Sequence, residues 1–132
     1  MFYNLEAIVD VTQNNNYNSN HLILEDNKCI VNLKLHLNID YDPERDKDCL
    51  SAMQPNRLYE VLVTVGFATE AWYEIASFVF DTNKLSTTLT KEHIGIAVPD
   101  TAEYIDFIVL VRDNINNISN TWTQQMTKRF NI

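Results

Sequence analysis

The sequence is poor in the residues that usually form tight turns. Only 2 of its 132 residues are glycine and 3 are proline, against usual fractions of about 7% and 5%. The chain therefore lacks the glycine-rich loops that hold phosphate groups, and neither a P-loop nor a dinucleotide fingerprint occurs. Its 2 cysteines, Cys29 and Cys49, are too few for a disulfide framework and match no zinc spacing. We expect two free thiols, with a single bridge between them as the alternative.

Positive charge is also scarce. The chain has 10 Lys and Arg against 18 Asp and Glu, which gives a net charge of -8 and a pI near 4.7. Nucleic-acid binding depends on Lys and Arg that displace phosphate counterions, so we expect no nucleic-acid ligand. An acidic surface attracts basic proteins or divalent cations, or simply keeps a protein soluble.

Long hydrophobic runs are missing. No stretch of about 18 apolar residues occurs, and the sequence therefore predicts no membrane-spanning helix. The first residues lack the basic and then apolar segments of a secretory signal. We expect a cytoplasmic protein as the sequence is written, or an extracellular or virion-associated one if the chain is a fragment or a component of an assembly.

Alternation of apolar and polar residues is the strongest pattern that is present. In the segment 29–41 the apolar side chains fall on every second position, at Val31, Leu33, Leu35, Leu37, Ile39 and Tyr41. This period places them on one face of a half-buried strand. Residues 58–67 are more continuously apolar, which is typical of a central strand covered on both sides. Further strands are predicted at 5–11, 73–80, 88–98, 104–111 and 122–130.

These strands are too close together in sequence for helical crossovers between parallel strands. We therefore predict an all-β fold, a single antiparallel two-sheet sandwich of about seven strands that spans residues 1–132 as one domain. Residues 49–53 could form one short helical turn. Two asparagine-rich segments, 13–20 and 114–120, are predicted to be loops. Asparagine tolerates left-handed backbone conformations and can replace glycine in turns, although a coding bias would also explain its abundance.

A succession of turn, tyrosine and alternating strand occurs in the last third of the chain. Residues 98–104 contain a proline turn and end at Tyr104. The strand positions that follow are Phe107, Val109 and Val111, and a polar turn covers 113–119. This order resembles the end of a fibronectin type III or bacterial immunoglobulin-like domain. The resemblance implies an immunoglobulin-like sandwich in which Tyr104 is the corner tyrosine and its hydroxyl bonds to backbone near Pro99. Such domains mostly bind other proteins or act as spacers.

Motifs of enzyme chemistry are absent from the sequence. There is no Gly-x-Ser-x-Gly and no His-Glu-x-x-His, and the 3 histidines stand in unrelated contexts. His36 falls on the polar side of an alternating strand, where we expect an exposed surface histidine. We therefore expect no enzyme. A small hydrolase with paired carboxylates stays open, because its two residues can be distant in sequence.

The acidic segment 40–48 is the candidate metal site. Its carboxylates occupy alternate positions after the best strand, at Asp40, Asp42, Glu44, Asp46 and Asp48. Calcium takes six to eight oxygen ligands, and clustered carboxylates on a loop can supply them. The alternative is a solvated acidic loop with no cofactor.

Aromatic residues at strand ends are the candidate binding residues. Trp72 and Tyr73 lie at the start of a predicted strand, and Trp122 follows the second asparagine-rich segment. Trp and Tyr dominate interface hot spots, but the same rings could instead cap the core. The final strand is a second candidate, because a free sheet edge can pair with a partner or a second copy.

The pattern as a whole favours a non-enzymatic protein-interaction or structural module. It could be a virion or appendage component, an inhibitor or immunity-type protein, or a domain of a larger assembly. Its partner would be another protein or a second copy of itself. A calcium-dependent binding module and a small hydrolase are the alternatives.

Overall fold

The computed structural model describes residues 4–13, 21–40, 56–67, 72–112, 115, 121–122 and 127–132. Among them there are eight strands and no helix, hence none that could span a membrane. The strands are β1 (Asn4–Thr12), β2 (Lys28–Asp40), β3 (Leu58–Gly66), β4 (Tyr73–Asp81), β5 (Ser86–Ala97), β6 (Tyr104–Arg112), β7 (Thr121–Trp122) and β8 (Thr127–Asn131).

The strands form two antiparallel sheets, as predicted. The first sheet has the order β1-β2-β5, and the second has the order β4-β3-β6, with β7 and β8 both paired to β6. Because β3 pairs with residues 106–112 of β6 on one side, and the β7 and β8 pairings fall within or overlap these residues, β7 and β8 must share its other side. The second sheet is therefore four strands wide. The predicted closing strand at 122–130 divides into the two short strands β7 and β8.

The hydrophobic core lies between the two sheets. The alternating side chains of β2 are buried, with Leu35 and Leu37 fully inaccessible to solvent. In the second sheet the inward residues of β3 and β6 are buried too, and on the outer side Leu62, Thr64 and Asp106 are also buried. Phe107 and Phe130 meet edge to face, with ring centroids 5.6 Å apart. The predicted strand periodicity is thus confirmed, and the core follows from it.

Asparagine and aspartate occupy left-handed positions that glycine usually fills. Asp26 and Asn27 have φ values of 51° and 59°, and Asn56 has 56°. Asp26 and Asn27 form a two-residue hairpin turn that is closed by reciprocal 2.9 Å bonds between Glu25 and Lys28. Such turns require positive φ at both central residues. Among the described residues no glycine has a positive φ.

His93, in a bulge of β5, also has a left-handed backbone conformation. The pairing of β2 with β5 shifts register between Val31 and Leu33. His93 lies in the bulge with φ of 57°, and its backbone N–H donates to Asn32 Oδ1 at 3.0 Å. The asparagine side chain thus supplies a hydrogen-bond acceptor to an N–H group in the irregular part of the ladder.

Cys29 is a free thiol buried at the start of β2. Burial raises the pKa of this thiol to about 11, so the group is protonated at neutral pH and is a poor nucleophile. Cys49 and the helical turn predicted at 49–53 lie outside the described residues. The predicted loops at 13–20 and 114–120 lie outside them too, apart from Gln13 and Ile115.

Candidate functional site

The outer faces of the two sheets differ in chemistry. On the first sheet, most outward side chains are polar and lie opposite one another in cross-strand rows, namely Glu6, Asn38 and Ser86, then Asp10, Lys34 and Thr90. Ile8 and Ile30 are the larger apolar side chains exposed there. A sheet face of this composition is well suited to contact with water.

His36 lies in the middle of that polar face. Its Nε2 atom is 3.2 Å from Asp10 Oδ2, and its Nδ1 atom is 3.2 Å from Thr88 Oγ1. The side chain is partly exposed, in line with the predicted surface position. Hydrolases use a similar chain of acid, imidazole and hydroxyl, but they add donors for the developing oxyanion. Here the three groups stand on the water-facing side of the sheet and satisfy one another's hydrogen bonds.

The outer face of the second sheet has several large apolar side chains along β3 and β6, interspersed with Glu60, Thr64, Asp106 and Arg112. We use the term apolar face for the outward side chains of Leu58, Leu62, Trp72, Val79, Ile108 and Leu110. Leu62 lies opposite Leu110 in the ladder and is only 5% exposed, although it points away from the core. Val79 is 54% exposed and Leu58 is 41% exposed. This sheet therefore has apolar side chains on both faces, as the continuous apolar run at 58–67 predicted.

Two ion pairs lie among the side chains of the apolar face, and Glu60 of the first pair stands between Leu58 and Leu62 and opposite Val79. Arg112 donates to both carboxylate oxygens of Glu60, at 2.9 and 3.1 Å. The Ser77 hydroxyl also donates to Glu60, at 3.3 Å. The hydrogen bond from Arg112 is the main cause of the lowered pKa of Glu60. Bidentate pairs of this kind are stronger and better ordered than single contacts.

The second ion pair is formed by Asp106 and Arg129. Arg129 donates to both oxygens of Asp106, at 2.8 and 2.9 Å. Its guanidinium carbon lies 3.7 Å from the centroid of the Tyr104 ring. A guanidinium placed over an aromatic ring is attracted by the ring electrons. The tyrosine thus holds Arg129 in position beside Asp106.

Trp72 covers the end of β3 from outside. A Cβ atom added to Gly66 would overlap the indole, and the three nearest ring atoms would be Cδ2, Cε2 and Cε3. These atoms lie on and next to the ring-fusion bond, so the flat side of the indole rests on Gly66. Trp72 is 46% exposed. One side of the ring therefore contacts the sheet while a large part of its surface remains open to solvent.

The indole, the carboxylate and the guanidinium stand in one row across the sheet. Gly66 is the ladder partner of Asp106, and Asp106 is the ladder partner of Arg129. Directly opposed residues share a face of the sheet, so the Asp106 side chain rises beside the ring that covers Gly66. Tyr104 is not in this row but supports Arg129 from the neighbouring position on the same face. We call the set of Gly66, Trp72, Asp106 and Arg129, together with Tyr104, the Trp72 row.

The other aromatic candidates lie elsewhere. Tyr73 packs against Phe67, with ring centroids 6.4 Å apart, and its hydroxyl donates to the Ala97 carbonyl of the other sheet at 3.3 Å. Burial raises the pKa of that hydroxyl. The backbone of Trp122 pairs with Val111, which is five residues, or about 17 Å, from Asp106 along β6. The structure therefore does not bring Trp122 and Trp72 together, and the side chain of Trp122 lies outside what is described.

The acidic segment cannot be assembled from the described residues. Asp40 is the last residue of β2, and its backbone pairs with Asn4. Asp42, Glu44, Asp46 and Asp48 lie outside the described part of the chain. Within that part no group of three metal-ligating side chains occurs. The calcium site stays a prediction, as does the corner-tyrosine role that the resemblance implies for Tyr104.

Two sheet edges are partly covered by the chain itself. The Leu22 N–H donates to the Asn131 carbonyl at the end of β8, at 3.0 Å. On β4, the Ile75 carbonyl accepts a hydrogen bond from Lys91 Nζ at 3.4 Å. A lysine across an edge strand hinders pairing with another chain. The bond from Leu22 occupies only the end of β8, and partner binding by the final strand stays a prediction.

Sequence reasoning missed three members of the Trp72 row, Gly66, Asp106 and Arg129. A weak signal for two of them was present. A lone glycine in a strand indicates a close approach by another group, and Asp106 is the one charged residue in the apolar segment 104–111. Arg129 carried no such signal.

No protein-family model, curated protein or solved structure matches this chain.

Proposed function

We propose that the chain is a non-enzymatic protein-interaction module that binds its partner through the apolar face. The observation that carries this proposal is the contrast between the two outer faces, since the first is mostly polar apart from Ile8 and Ile30 and the second presents Leu58, Val79 and Trp72 to solvent. Exposed apolar surface that is bordered by polar groups is a common sign of an interaction site.

The outer side of the second sheet is somewhat smaller than a typical protein interface. Four strands about 4.8 Å apart and up to nine residues long cover roughly 600 Å² in all, polar and apolar side chains together. A standard interface buries about 800 Å² on each partner, so a partner bound here would also contact residues around the sheet. The ion pairs Glu60–Arg112 and Asp106–Arg129 would lie within the contact area as neutralised polar groups, and Trp72 is of the residue type most often found at hot spots.

We further propose that the sandwich is immunoglobulin-like, as the last third of the chain suggests. In that fold one sheet contains strands A, B and E and the other contains C, F and G. The order β1-β2-β5 corresponds to A-B-E, and β3-β6-β8 corresponds to C-F-G. The fourth strand lies beside the third, as C′ does in variable-type domains. The partner would be another protein or a second copy of this chain.

The test uses three immobilised forms of the protein as baits in a lysate of the cells that encode it. They are the wild type, Trp72→Ala, and Leu85→Ala as a control, because Leu85 is exposed but lies in the turn before β5, outside the apolar face. We expect wild type and control to retain the same stoichiometric protein. The loss of a hot-spot residue costs about 2 kcal/mol, or about 30-fold in affinity, and should prevent retention by Trp72→Ala.

Sedimentation velocity of the purified chain tests whether the partner is a second copy of this chain. Self-association through the apolar face would appear as a dimer that Trp72→Ala dissociates and Leu85→Ala does not. If the protein is strictly monomeric and no bait retains a stoichiometric partner, the proposal is wrong. It is equally wrong if Trp72→Ala binds as well as the control does.

A further inference from the structure

We infer that the Trp72 row is a binding site for a carbohydrate, with the indole of Trp72 as the stacking platform and the Asp106–Arg129 pair as its polar partner. A pyranose ring has an apolar C–H face and a rim of hydroxyl groups. It therefore needs a flat aromatic surface with hydrogen-bonding groups beside it. The Trp72 row places these two features next to each other.

The platform is built into the sheet. The indole lies flat only because residue 66 has no side chain, and this residue is one of just 2 glycines in the chain. Gly66 does not have a positive φ, so its role is to make room rather than to permit an unusual backbone conformation. An indole that served only to cover the core would be largely buried, whereas Trp72 is nearly half exposed.

The polar partner has hydrogen-bonding capacity to spare. An ionised carboxylate offers about four acceptor sites, and a guanidinium carries five N–H donors. The pairing of Asp106 with Arg129 uses two of each. The Arg129 side chain is 55% exposed and that of Asp106 only 10%, so a sugar hydroxyl would accept from the remaining N–H groups of Arg129. The pair is also rigid, because Asp106 is buried and Tyr104 supports the guanidinium.

The spacing suits a sugar ring. Neighbouring positions in the row are separated by the distance between strands, about 4.8 Å, which is comparable to the width of one pyranose ring. A ring stacked on the open side of Trp72 would lie one layer above the indole, with its edge over Asp106 and Arg129. A β-linked glucose chain suits the platform best, because its hydroxyls are all equatorial and both ring faces present C–H groups.

Two other ligands also stack on tryptophan, and the row is less suited to either. A cation would find the nearest carboxylate in the row, Asp106, already neutralised by Arg129, and the guanidinium itself would repel it. A polyproline segment docks in grooves that several aromatic rings line. In the Trp72 row the second ring, Tyr104, is covered by Arg129.

The experiment is a titration of the ¹⁵N-labelled full chain with cellotetraose, followed by the indole N–H resonance of Trp72. Sorbitol is the matched control ligand, because it offers the same kind of hydroxyls without a ring. One stacked hexose corresponds to a dissociation constant on the order of 1 mM. We expect saturable shifts of the Trp72 indole and of the Asp106 and Arg129 amides with cellotetraose and none with sorbitol.

Variants separate stacking from hydrogen bonding. Trp72→Ala should abolish the shifts at Asp106 and Arg129, and Trp72→Phe should retain weakened binding. Arg129→Lys keeps the charge but loses the planar guanidinium with its paired N–H donors. It should weaken binding about tenfold, which is the effect of losing one charge-assisted hydrogen bond. The ¹⁵N spectrum of each variant reports whether it is folded.

The inference is wrong if cellotetraose at 20 mM causes no saturable shift, or if Trp72→Ala binds as the wild type does. It is also wrong if tetramethylammonium or decaproline shifts the same resonances and the sugar does not. The inference does not depend on a protein partner. A negative sugar titration leaves the bait experiment unaffected, and binding of the sugar without any retained protein would overturn only the proposed protein partner.

Discussion

Replacing Gly66 with alanine tests how Trp72 is held on the sheet. Because the flat side of the indole lies where the new Cβ would be, the ring must move or the strand must bend. Overpacking of this kind costs about 1–3 kcal/mol. It is opposed by a gain of about 0.4–1 kcal/mol, because alanine restricts the unfolded chain more than glycine does. We expect a net loss of about 1–2 kcal/mol in the free energy of unfolding.

The same substitution should behave differently once the indole is gone. In a Trp72→Ala background the added methyl group meets no ring, so only the unfolded-state gain of up to about 1 kcal/mol remains. The two substitutions should therefore be coupled by about 2 kcal/mol, a value typical of residues in direct contact. Gly95→Ala is the matched control, because its Cβ would meet the flexible side chain of Lys28.

The wild type, Gly66→Ala, Trp72→Ala and the double variant form a double-mutant cycle. Their free energies of unfolding are measured by urea unfolding followed by far-ultraviolet circular dichroism. This signal does not depend on the tryptophan that is removed, and a chain of this size is suited to two-state treatment. In a thermal melt, the loss for Gly66→Ala alone corresponds to a drop of a few degrees. If Gly66→Ala costs as much without the indole as with it, the flat seating of Trp72 is wrong.

Three further predictions concern a turn, an ion pair and the acidic segment. Asn27→Gly should raise the free energy of unfolding by about 0.5–1 kcal/mol in urea, because glycine adopts the left-handed conformation of this turn without strain, whereas the same change at an ordinary strand position should lower it. The pKa of Glu60 is lowered by folding, so its contribution to stability is present above pH 4.5 and is lost as the pH falls below that value. Glu60→Gln should flatten this part of the stability profile between pH 3 and 6, and a profile identical to that of the wild type would contradict this role of the Glu60–Arg112 pair. Calcium at 100 times its dissociation constant would stabilise the chain by about 2.7 kcal/mol and raise the melting temperature by several degrees over that in chelator. Equal melting temperatures in millimolar calcium and in chelator would show that the predicted site at 40–48 is wrong.

The sheets could be predicted because their signal is local. The alternation in β2 from Val31 to Ile39 depends only on residues two apart, and burial on one face follows from it. The bulge at His93 could not be predicted, since it depends on how β5 meets β2 rather than on the sequence of either strand. The abundance of asparagine predicted that it replaces glycine in turns, but not at which positions. In the structure Asn27 and Asn56 have the left-handed conformation.

The candidate site could be predicted only in part, because the register in which the strands pair brings its residues together. Trp72 was recognisable as an aromatic residue at a strand end. Gly66, Asp106 and Arg129 come from three strands and are far apart in sequence, and only the pairing of β3 with β6 and of β6 with β8 puts them in one row. A shift of one residue in either pairing would turn one of them to the opposite face. Tyr73 and Trp122 met the same compositional criterion, and the fold places them apart from that row.

Chemical-shift mapping of the bound partner tests the central claim most directly. The ¹⁵N-labelled chain is titrated with the protein that the wild-type bait retains, or is observed across its own monomer–dimer equilibrium. We predict the largest shifts at the indole of Trp72 and at Leu58, Val79 and Leu110, on the outer side of the second sheet. Shifts that instead cluster on the outer side of the first sheet, around Lys34, would contradict the assignment of the apolar face as the binding surface.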